Sequence, residues 1–322
     1  MSLRSPGSNT VVSILKSMVA KDAGGLRNLL RTRSNRRKRS LQVGAVTEVC
    51  ETRMLLTLTV GPNVNLSRLP GNQDESAIIV NPNNSQQLFA SSNNAAGGLF
   101  AARSIDGGAT WLTSNGPDWL IADGNDSLVS ACCDPTLAWD TFGNLYISYI
   151  SGDLQSIPIA ISTDGGATFS QLTSIGGGNV DQPTITTGPG LNGAGQALWI
   201  TYAQGGTQAR GAAVSGLGAA NVGPLGAAQA VVGVNQFGDI VVGPNGQVVV
   251  TGQNTTQIQV GTDPDGLGPL GFSGAVIATT TNVDRFDAIP SQPLRSIDAE
   301  AGLAYDRSGG VNNGRLYLVY TD

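Results

Sequence analysis

The chain contains no histidine among its 322 residues. Without histidine it lacks the commonest general base, the usual zinc and copper ligand, and any Ser–His or Cys–His nucleophile pair. This absence excludes a large part of enzyme chemistry.

Cysteine is scarce, with Cys50 near the N-terminus and the adjacent pair Cys132 and Cys133. The spacing matches neither a metal site nor a disulfide framework. We interpret these cysteines as buried or incidental thiols, and a vicinal disulfide between Cys132 and Cys133 is the alternative.

Charge is low, at 13% of residues, and it is divided unevenly. Residues 1–53 carry 11 Lys and Arg against 3 Asp and Glu, whereas residues 54–322 carry 7 against 20. All three lysines lie in the N-terminal part. The rest of the chain offers no basic stripe to neutralise phosphates, so we expect no nucleic-acid binding by this part.

No apolar run reaches the ~18 residues that a membrane helix needs. After a basic cluster, residues Cys50 to Thr57 resemble the Leu-Glu-x-Arg-x-Leu-Leu segment near the start of large exported bacterial proteins, with Cys50 replacing the usual Leu. The resemblance implies an extracellular or cell-surface protein, and a disordered basic leader without export is the alternative. We expect residues 1–57 to be a mostly disordered leader and residues 58–322 to be the folded domain.

Glycine is abundant, at 44 residues, while apolar content is still 40%, which is typical of a turn-rich β protein with a core. Two octapeptides, Ser104 to Trp111 and Ser162 to Phe169, are nearly the same and lie 58 residues apart. Each follows an alternating apolar run, and its Asp-Gly-Gly centre supplies residues suited to a tight hairpin. We predict a strand, a turn and a return strand, with the Asp carboxylate bonded to its own turn and the final aromatic packed into the core.

These octapeptides resemble the Asp-box, or BNR repeat, Ser-x-Asp-x-Gly-x-Thr-Trp, of sialidases, sortilin-type receptors and other β-propellers. The matching residues are Ser104, Asp106, Gly108, Thr110 and Trp111 in one copy and Ser162, Asp164, Gly166, Thr168 and Phe169 in the other. The resemblance implies an all-β propeller of four-stranded antiparallel blades. It also implies that these residues are structural, at the blade rim and away from a central site.

Further strand pairs recur along the chain and would form the inner half of each blade. They are 76–82 with 88–92, 135–140 with 144–150, 183–187 with 197–203, 239–243 with 247–253, and 301–306 with 315–321. Third strands follow at 98–103, 157–161, 210–214 and 257–261. We therefore predict four blades and half of a fifth. Sialidase-like propellers have six, so the resemblance implies part of a longer protein or a truncated product, with closure as four blades through 58–65 as the alternative.

Sialidase activity would require an Arg triad, a Tyr nucleophile with its Glu, and an Asp acid/base. Arg68 stands in an Arg-Leu-Pro sequence similar to the family's Arg-Ile-Pro, but it lies several residues too early, and Glu75 occupies the expected place. An acidic residue there repels sialic acid. Tyr305, Tyr317 and Tyr320 fall in alternating strands, where we expect them to pack, so we assign no catalytic residue.

Acidic residues precede the inner strands at similar positions. Glu75, Asp134 and Glu300 each lie five residues before the matched strand position, and Asp181 and Asp239 fall close to it. This spacing predicts carboxylates gathered at one end of the central channel, where they would bind Ca²⁺ or a cationic ligand. Ordinary turn chemistry at the strand starts is the alternative. The sequence Asp263-Pro264-Asp265-Gly266 suggests a calcium loop but lacks the further ligands, so we interpret it as a hairpin turn.

The sequence thus predicts an exported, non-catalytic propeller that binds glycans or surface proteins and carries no cofactor, with Ca²⁺ as the exception. A degenerate or incomplete glycoside hydrolase of the sialidase superfamily is the alternative.

Overall fold

The computed structural model describes residues 63–116, 118–235, 238–290 and 292–322, without the side chains of 292–295. The basic leader, the exported-protein resemblance and Cys50 lie outside the described residues. Residues 66–322 belong to one compact unit. No helix in the described ranges is long and apolar enough to cross a membrane.

The described residues form successive antiparallel sheets. The first sheet contains β1 (Ala77–Asn81), β2 (Asn84–Asn93), β3 (Leu99–Ser104), β4 (Leu112–Thr113) and β5 (Leu120–Ile121); the second contains β6 (Ala131–Trp139), β7 (Leu145–Ser151), β8 (Ser156–Ser162) and β9 (Ser170–Gly176). The third contains β10 (Asp181–Pro189), β11 (Gln196–Ala203), β12 (Thr207–Val214) and β13 (Gln229–Ala230); the fourth contains β14 (Ile240–Val242), β15 (Val248–Asn254), β16 (Gln257–Asp263) and β17 (Val276–Thr280).

A hairpin and a two-stranded sheet complete the described part. A separate hairpin joins β18 (Asp287–Ile289) to β19 (Gln292–Ile297), and the fifth sheet pairs β20 (Gly302–Tyr305) with β21 (Leu316–Val319). Single 3₁₀ turns span Leu191–Gly193 and Ala219–Asn221, and the described residues contain no α-helix.

Each apolar core lies between two neighbouring sheets. Phe89 and Tyr149 belong to the core shared by the first and second sheets, and Trp199 and Val250 to the core shared by the third and fourth. Because the second strand of a sheet is covered on both faces, β7 is buried along its whole length. Its sequence is accordingly almost continuously apolar rather than alternating.

The first strand of each sheet contacts the first strand of the next, in the order β1, β6, β10, β14 and β20. Polar groups join these strands: the Asp134 N–H donates to Glu75 Oε2 at 2.9 Å, and the Leu303 N–H donates to Asp239 Oδ2 at 2.9 Å. Antiparallel sheets packed face to face with their first strands adjacent are the arrangement of a β-propeller. The predicted all-β fold of four-stranded antiparallel blades is confirmed.

Two details differ from the prediction. The first sheet has a fifth strand, because β4 and β5 both pair with β3, at different positions along it. The β18–β19 hairpin was not predicted, since it stands outside the repeating strand pattern.

The two octapeptides form the same hydrogen-bond network. Ser104 Oγ donates to Asp106 Oδ1 at 2.8 Å and accepts from Gly108 N at 2.9 Å, and Thr110 donates to Asp106 through both its N–H, at 2.8 Å, and its hydroxyl, at 2.6 Å. Asp164 receives the same three bonds, from Ser162 and Thr168, at 2.7 to 2.9 Å. Each Asp carboxylate therefore organises its own turn.

The aromatic residues that end the octapeptides behave differently. Phe169 is buried and meets Phe89 edge-on, with ring centroids 5.2 Å apart. Trp111 is only half-buried, and its indole N–H donates to Gly108 O at 3.1 Å. The expectation that Trp111 packs into the core is therefore wrong, because its ring covers its own turn instead.

Candidate functional site

A cavity of about 430 Å³ lies at the start of the first strands and is lined by residues from all five repeats. Five carboxyl groups line it: Glu75, Asp134, Asp239, Asp298 and Glu300. Its described lining contains no Lys, no Arg and no aromatic side chain. The cavity is of the size that proteins use for small ligands, and its lining is acidic.

Four of the lining residues share an unusual backbone conformation. Glu75, Asp134, Gln182 and Glu300 have φ values of 52°, 56°, 50° and 41°, in the left-handed region. Residues other than glycine adopt this region infrequently, at a cost of about 1–3 kcal/mol each. The strand register shifts beside two of them, between Cys133 and Thr136 and between Asp181 and Thr184. A repeated distortion at the strand starts thus shapes the lining.

Four of the five acidic residues expected at the centre line this cavity, namely Glu75, Asp134, Asp239 and Glu300. Asp181 does not, because its neighbour Gln182 occupies the equivalent left-handed position. The Asp181 side chain instead accepts the N–H of Gln182 at 3.0 Å.

Sequence reasoning missed Asp298, which lies in the segment between β19 and β20. Its Oδ1 accepts the Glu300 N–H at 2.6 Å, so it supports the turn that carries Glu300. Asp298 lies two residues before Glu300 and before an inner strand, and this spacing could have indicated it in the sequence.

Asp134 is a strongly perturbed carboxyl group of the lining. Burial, contact with the Glu75 carboxylate and the negative charges of Glu75 and Asp181 together raise the pKa of Asp134 to about 8. At neutral pH Asp134 is therefore largely protonated and can donate a hydrogen bond or a proton, while Glu75 beside it accepts.

Asp239 lines the cavity and also joins two sheets. Its two carboxylate oxygens accept the N–H groups of Ile240, at 2.7 Å, and Leu303, at 2.9 Å, and so join the fourth sheet to the fifth. Burial raises the pKa of Asp239, and these hydrogen bonds oppose the rise.

The lining carboxyl groups do not converge tightly. Among the described residues, no three His, Cys, Asp or Glu side chains are close enough together to hold a metal ion.

Cys132 and Cys133 form a disulfide with each other, immediately before Asp134. The interpretation of these two cysteines as free thiols is therefore wrong. The structure contains the vicinal disulfide that the sequence left as the alternative. The bulge at the start of β6, where the register shifts, brings the two side chains together. Sequence spacing alone does not reveal this local geometry.

The residues considered for sialidase chemistry do not assemble at this cavity. Arg68 is absent from the lining, as are Tyr305, Tyr317 and Tyr320. Tyr320 packs against the core between the fourth and fifth sheets, and burial raises the pKa of Tyr305.

No protein-family model and no curated protein sequence matches the chain. Similar solved structures include an α-L-arabinofuranosidase from Fusarium graminearum, at 14% identity, 76% of this chain, 73% of that chain and a TM-score of 0.47. A Hadza microbial sialidase is 14% identical over 77% of this chain and 52% of that chain, with a TM-score of 0.44. Aleuria aurantia lectin with α-methyl-L-fucoside is 13% identical over 71% of this chain and 66% of that chain, with a TM-score of 0.44. At these values the likeness says nothing about the activity of this chain.

Proposed function

We propose that the protein is a non-catalytic binding module whose central cavity takes a glycan, free or carried on a surface protein. The observation that carries this proposal is the 430 Å³ cavity lined by five carboxyl groups at the inner strand starts. Carboxylates accept hydrogen bonds from sugar hydroxyls, and the protonated Asp134 adds a donor. The left-handed backbone fixes these groups before a ligand arrives, which lowers the entropy cost of binding.

The charge of the cavity selects among glycans. Neither Lys nor Arg belongs to the described lining, so the carboxylate of a sialic acid would meet only like charges. Neutral sugars and amino sugars are therefore the favoured ligand class.

Calorimetric titration with neutral, amino and sialylated oligosaccharides tests this proposal. We expect saturable binding of a neutral or amino sugar and at least about tenfold weaker binding by E75Q, since the carboxylate loses its charge. D118N, which changes an exposed carboxylate outside the lining, is the matched control. Preference for sialylated ligands, or binding unaffected by E75Q, would contradict the proposal.

A glycoside hydrolase is the second candidate, and one observation favours it. Burial and the neighbouring Glu75 carboxyl raise the pKa of Asp134 to about 8, and a carboxyl group with a raised pKa beside a second carboxyl group is the pattern of a general acid in glycoside hydrolysis. Turnover of fluorogenic sialosides or arylglycosides, lost in D134N, would support hydrolysis. Saturable binding without turnover would support the binding module.

We also propose that the protein acts outside the cytoplasm. The Cys132–Cys133 disulfide supports this location, because disulfides persist mainly in oxidising compartments. Expression in a bacterial host with and without residues 1–57, followed by surface proteolysis and recovery from the medium, tests it. Retention of the full chain inside the cell would contradict export.

A further inference from the structure

The fourth sheet carries an altered version of the octapeptide turn. Asp263, at the end of β16, pairs with Val248, the first residue of β15. Ser162 pairs in the same way with Leu145, the first residue of β7, and Ser104 likewise ends its strand. Asp263 therefore stands at the position of the octapeptide serine, and Asp265, two residues later, stands at the position of the octapeptide aspartate.

Asp263 takes over only half of the serine's role. Its Oδ1 accepts the N–H of Asp265 at 3.2 Å, as the serine oxygen accepts the N–H of Asp106 in the first octapeptide. It also accepts the N–H of Gly266, three residues on, at 2.9 Å, whereas the serine oxygen accepts the N–H four residues on. A carboxylate has no hydroxyl hydrogen to donate to the next aspartate. Asp263 is 0% exposed, and its Oδ2 is buried with no hydrogen-bond donor among the residues that the structure describes.

Asp265 has also lost donors. In the intact turns a threonine four residues after the aspartate gives it an N–H and a hydroxyl, as Thr168 gives Asp164. The corresponding residue here is Pro269, which has neither group. Of the donors in the described part of the chain, the Leu270 N–H alone reaches the Asp265 carboxylate, at 3.3 Å from each oxygen.

Compared with the intact turns, this turn has therefore lost a serine hydroxyl, a threonine hydroxyl and a threonine N–H, and has gained a carboxylate. The side chains of Asp263 and Asp265 contact each other. Two carboxylates with few donors are the oxygen-rich, anionic set that hard cations bind. Asp265 is only half-buried, which leaves access from solvent.

We propose that Asp263 and Asp265 bind a Ca²⁺ ion that closes this turn in place of the missing donors. Ca²⁺ accepts irregular geometry and main-chain carbonyl ligands, and the carbonyl oxygen of Gly246 approaches the same turn at Gly266. Since no third carboxylate is within reach among the described residues, water and main-chain oxygens complete the coordination. An affinity of about 10⁻⁴–10⁻³ M fits so few charged ligands.

Thermal unfolding at pH 7.5 in 0 to ~10 mM CaCl₂ tests this site, with MgCl₂ and NaCl of equal ionic strength as controls. We expect a saturable rise in Tm of about 3–8 °C with Ca²⁺ and little change with Mg²⁺. D263S restores the serine of the intact turns, so we expect it to fold and to lose the Ca²⁺ response. The cavity variant E75Q should keep the response, which separates this site from the proposed glycan site.

Two outcomes would overturn the proposal. If the Tm of the wild type does not rise with Ca²⁺, no ion closes this turn. If the Ca²⁺ response survives D263S, the ion binds elsewhere.

Discussion

At the residue scale, Asp134 couples the stability of the fold to pH. Its pKa of about 8 in the folded protein lies far above its ordinary value of 3.8, chiefly because of burial and the neighbouring Glu75. Between these values the folded chain holds more protons than the unfolded chain does. The free energy of unfolding therefore falls as pH rises through this window.

We expect D134N to remove this pH dependence, because Asn keeps the shape and carries no charge. Wild type should lose stability from pH 5 to pH 8, whereas D134N should lose less and exceed wild type by about 1–2 kcal/mol at pH 8. Urea unfolding across this range measures the effect, with D118N as the control. Equal slopes for wild type and D134N would contradict the assignment.

A second residue-scale prediction compares two glycines in equivalent turns. Gly108 and Gly166 have φ values of +89° and +86°, so alanine is strained at both. A Cβ on Gly166 would lie 2.4 Å from Phe89 Cδ2, whereas on Gly108 its nearest contact is Trp111 Cζ2 at 3.8 Å. We expect G108A to cost about 1–2 kcal/mol and G166A about 1–3 kcal/mol more, by urea unfolding. Equal losses would show that Phe89 moves aside without cost.

At the scale of one element, the octapeptide turn of the second sheet also holds its neighbour. Ser114 Oγ donates to Gly166 O at 2.5 Å, and the Phe169 N–H donates to Asn115 Oδ1 at 2.8 Å. The segment that follows β4 in the first sheet is thus hydrogen-bonded to this turn. The conformation of this turn depends on Asp164. Burial opposes ionisation of Asp164, but the hydrogen bonds from Thr168, Ser162 and the Ala167 N–H together lower its pKa.

We expect D164A to cost about 1–2 kcal/mol at pH 7, because three hydrogen bonds to a partly exposed carboxylate are lost. A lowered folded-state pKa contributes stability that is present above the ordinary value of 3.8 and is lost as pH falls below it. The difference between wild type and D164A should therefore shrink below pH 4. Chemical unfolding at pH 7 and pH 3 measures it, and a constant difference would contradict the prediction.

At the scale of the whole molecule, cohesion depends on polar links between sheets as well as on the cores. Gln253 is buried on β15, donates to the carbonyls of Thr255 and Val283 at 2.7 Å and accepts the Ala299 N–H at 2.7 Å. Asp239 makes a second link to the fifth sheet through Leu303. Within the described ranges the fifth sheet consists of two strands, so we expect these links to contribute much to its attachment.

We expect D239A to loosen the fifth sheet selectively, because it leaves the Leu303 N–H without its acceptor. Hydrogen exchange should speed up by about tenfold or more at 302–305 and 316–319 and change little in the second sheet. D118A is the control for loss of an exposed carboxyl group. Uniform acceleration across all sheets would show that the fifth sheet unfolds only with the rest.

Much of the fold and part of the site could be predicted from the sequence, because they depend on interactions between residues close together in the chain. The octapeptide networks span at most four residues, so Ser162, Asp164 and Thr168 already specify their turn. Strand alternation and hairpin residues likewise indicated the inner strand pairs. The acidic residues before these strands followed from the repeat, because a repeated fold places equivalent positions around one centre.

Tertiary structure decided what depends on register and on packing between distant segments. A left-handed residue in β10 put Gln182 rather than Asp181 into the cavity lining, and a separate bulge in β6 brought Cys132 and Cys133 into a disulfide. Strand pairing placed Asp263 at a buried serine position, although its sequence indicated only a turn. The sequence by itself thus determined strands, turns and their repetition, since these depend on near neighbours. Which carboxyl groups meet, and with what pKa, depended on burial and on charges supplied by other sheets.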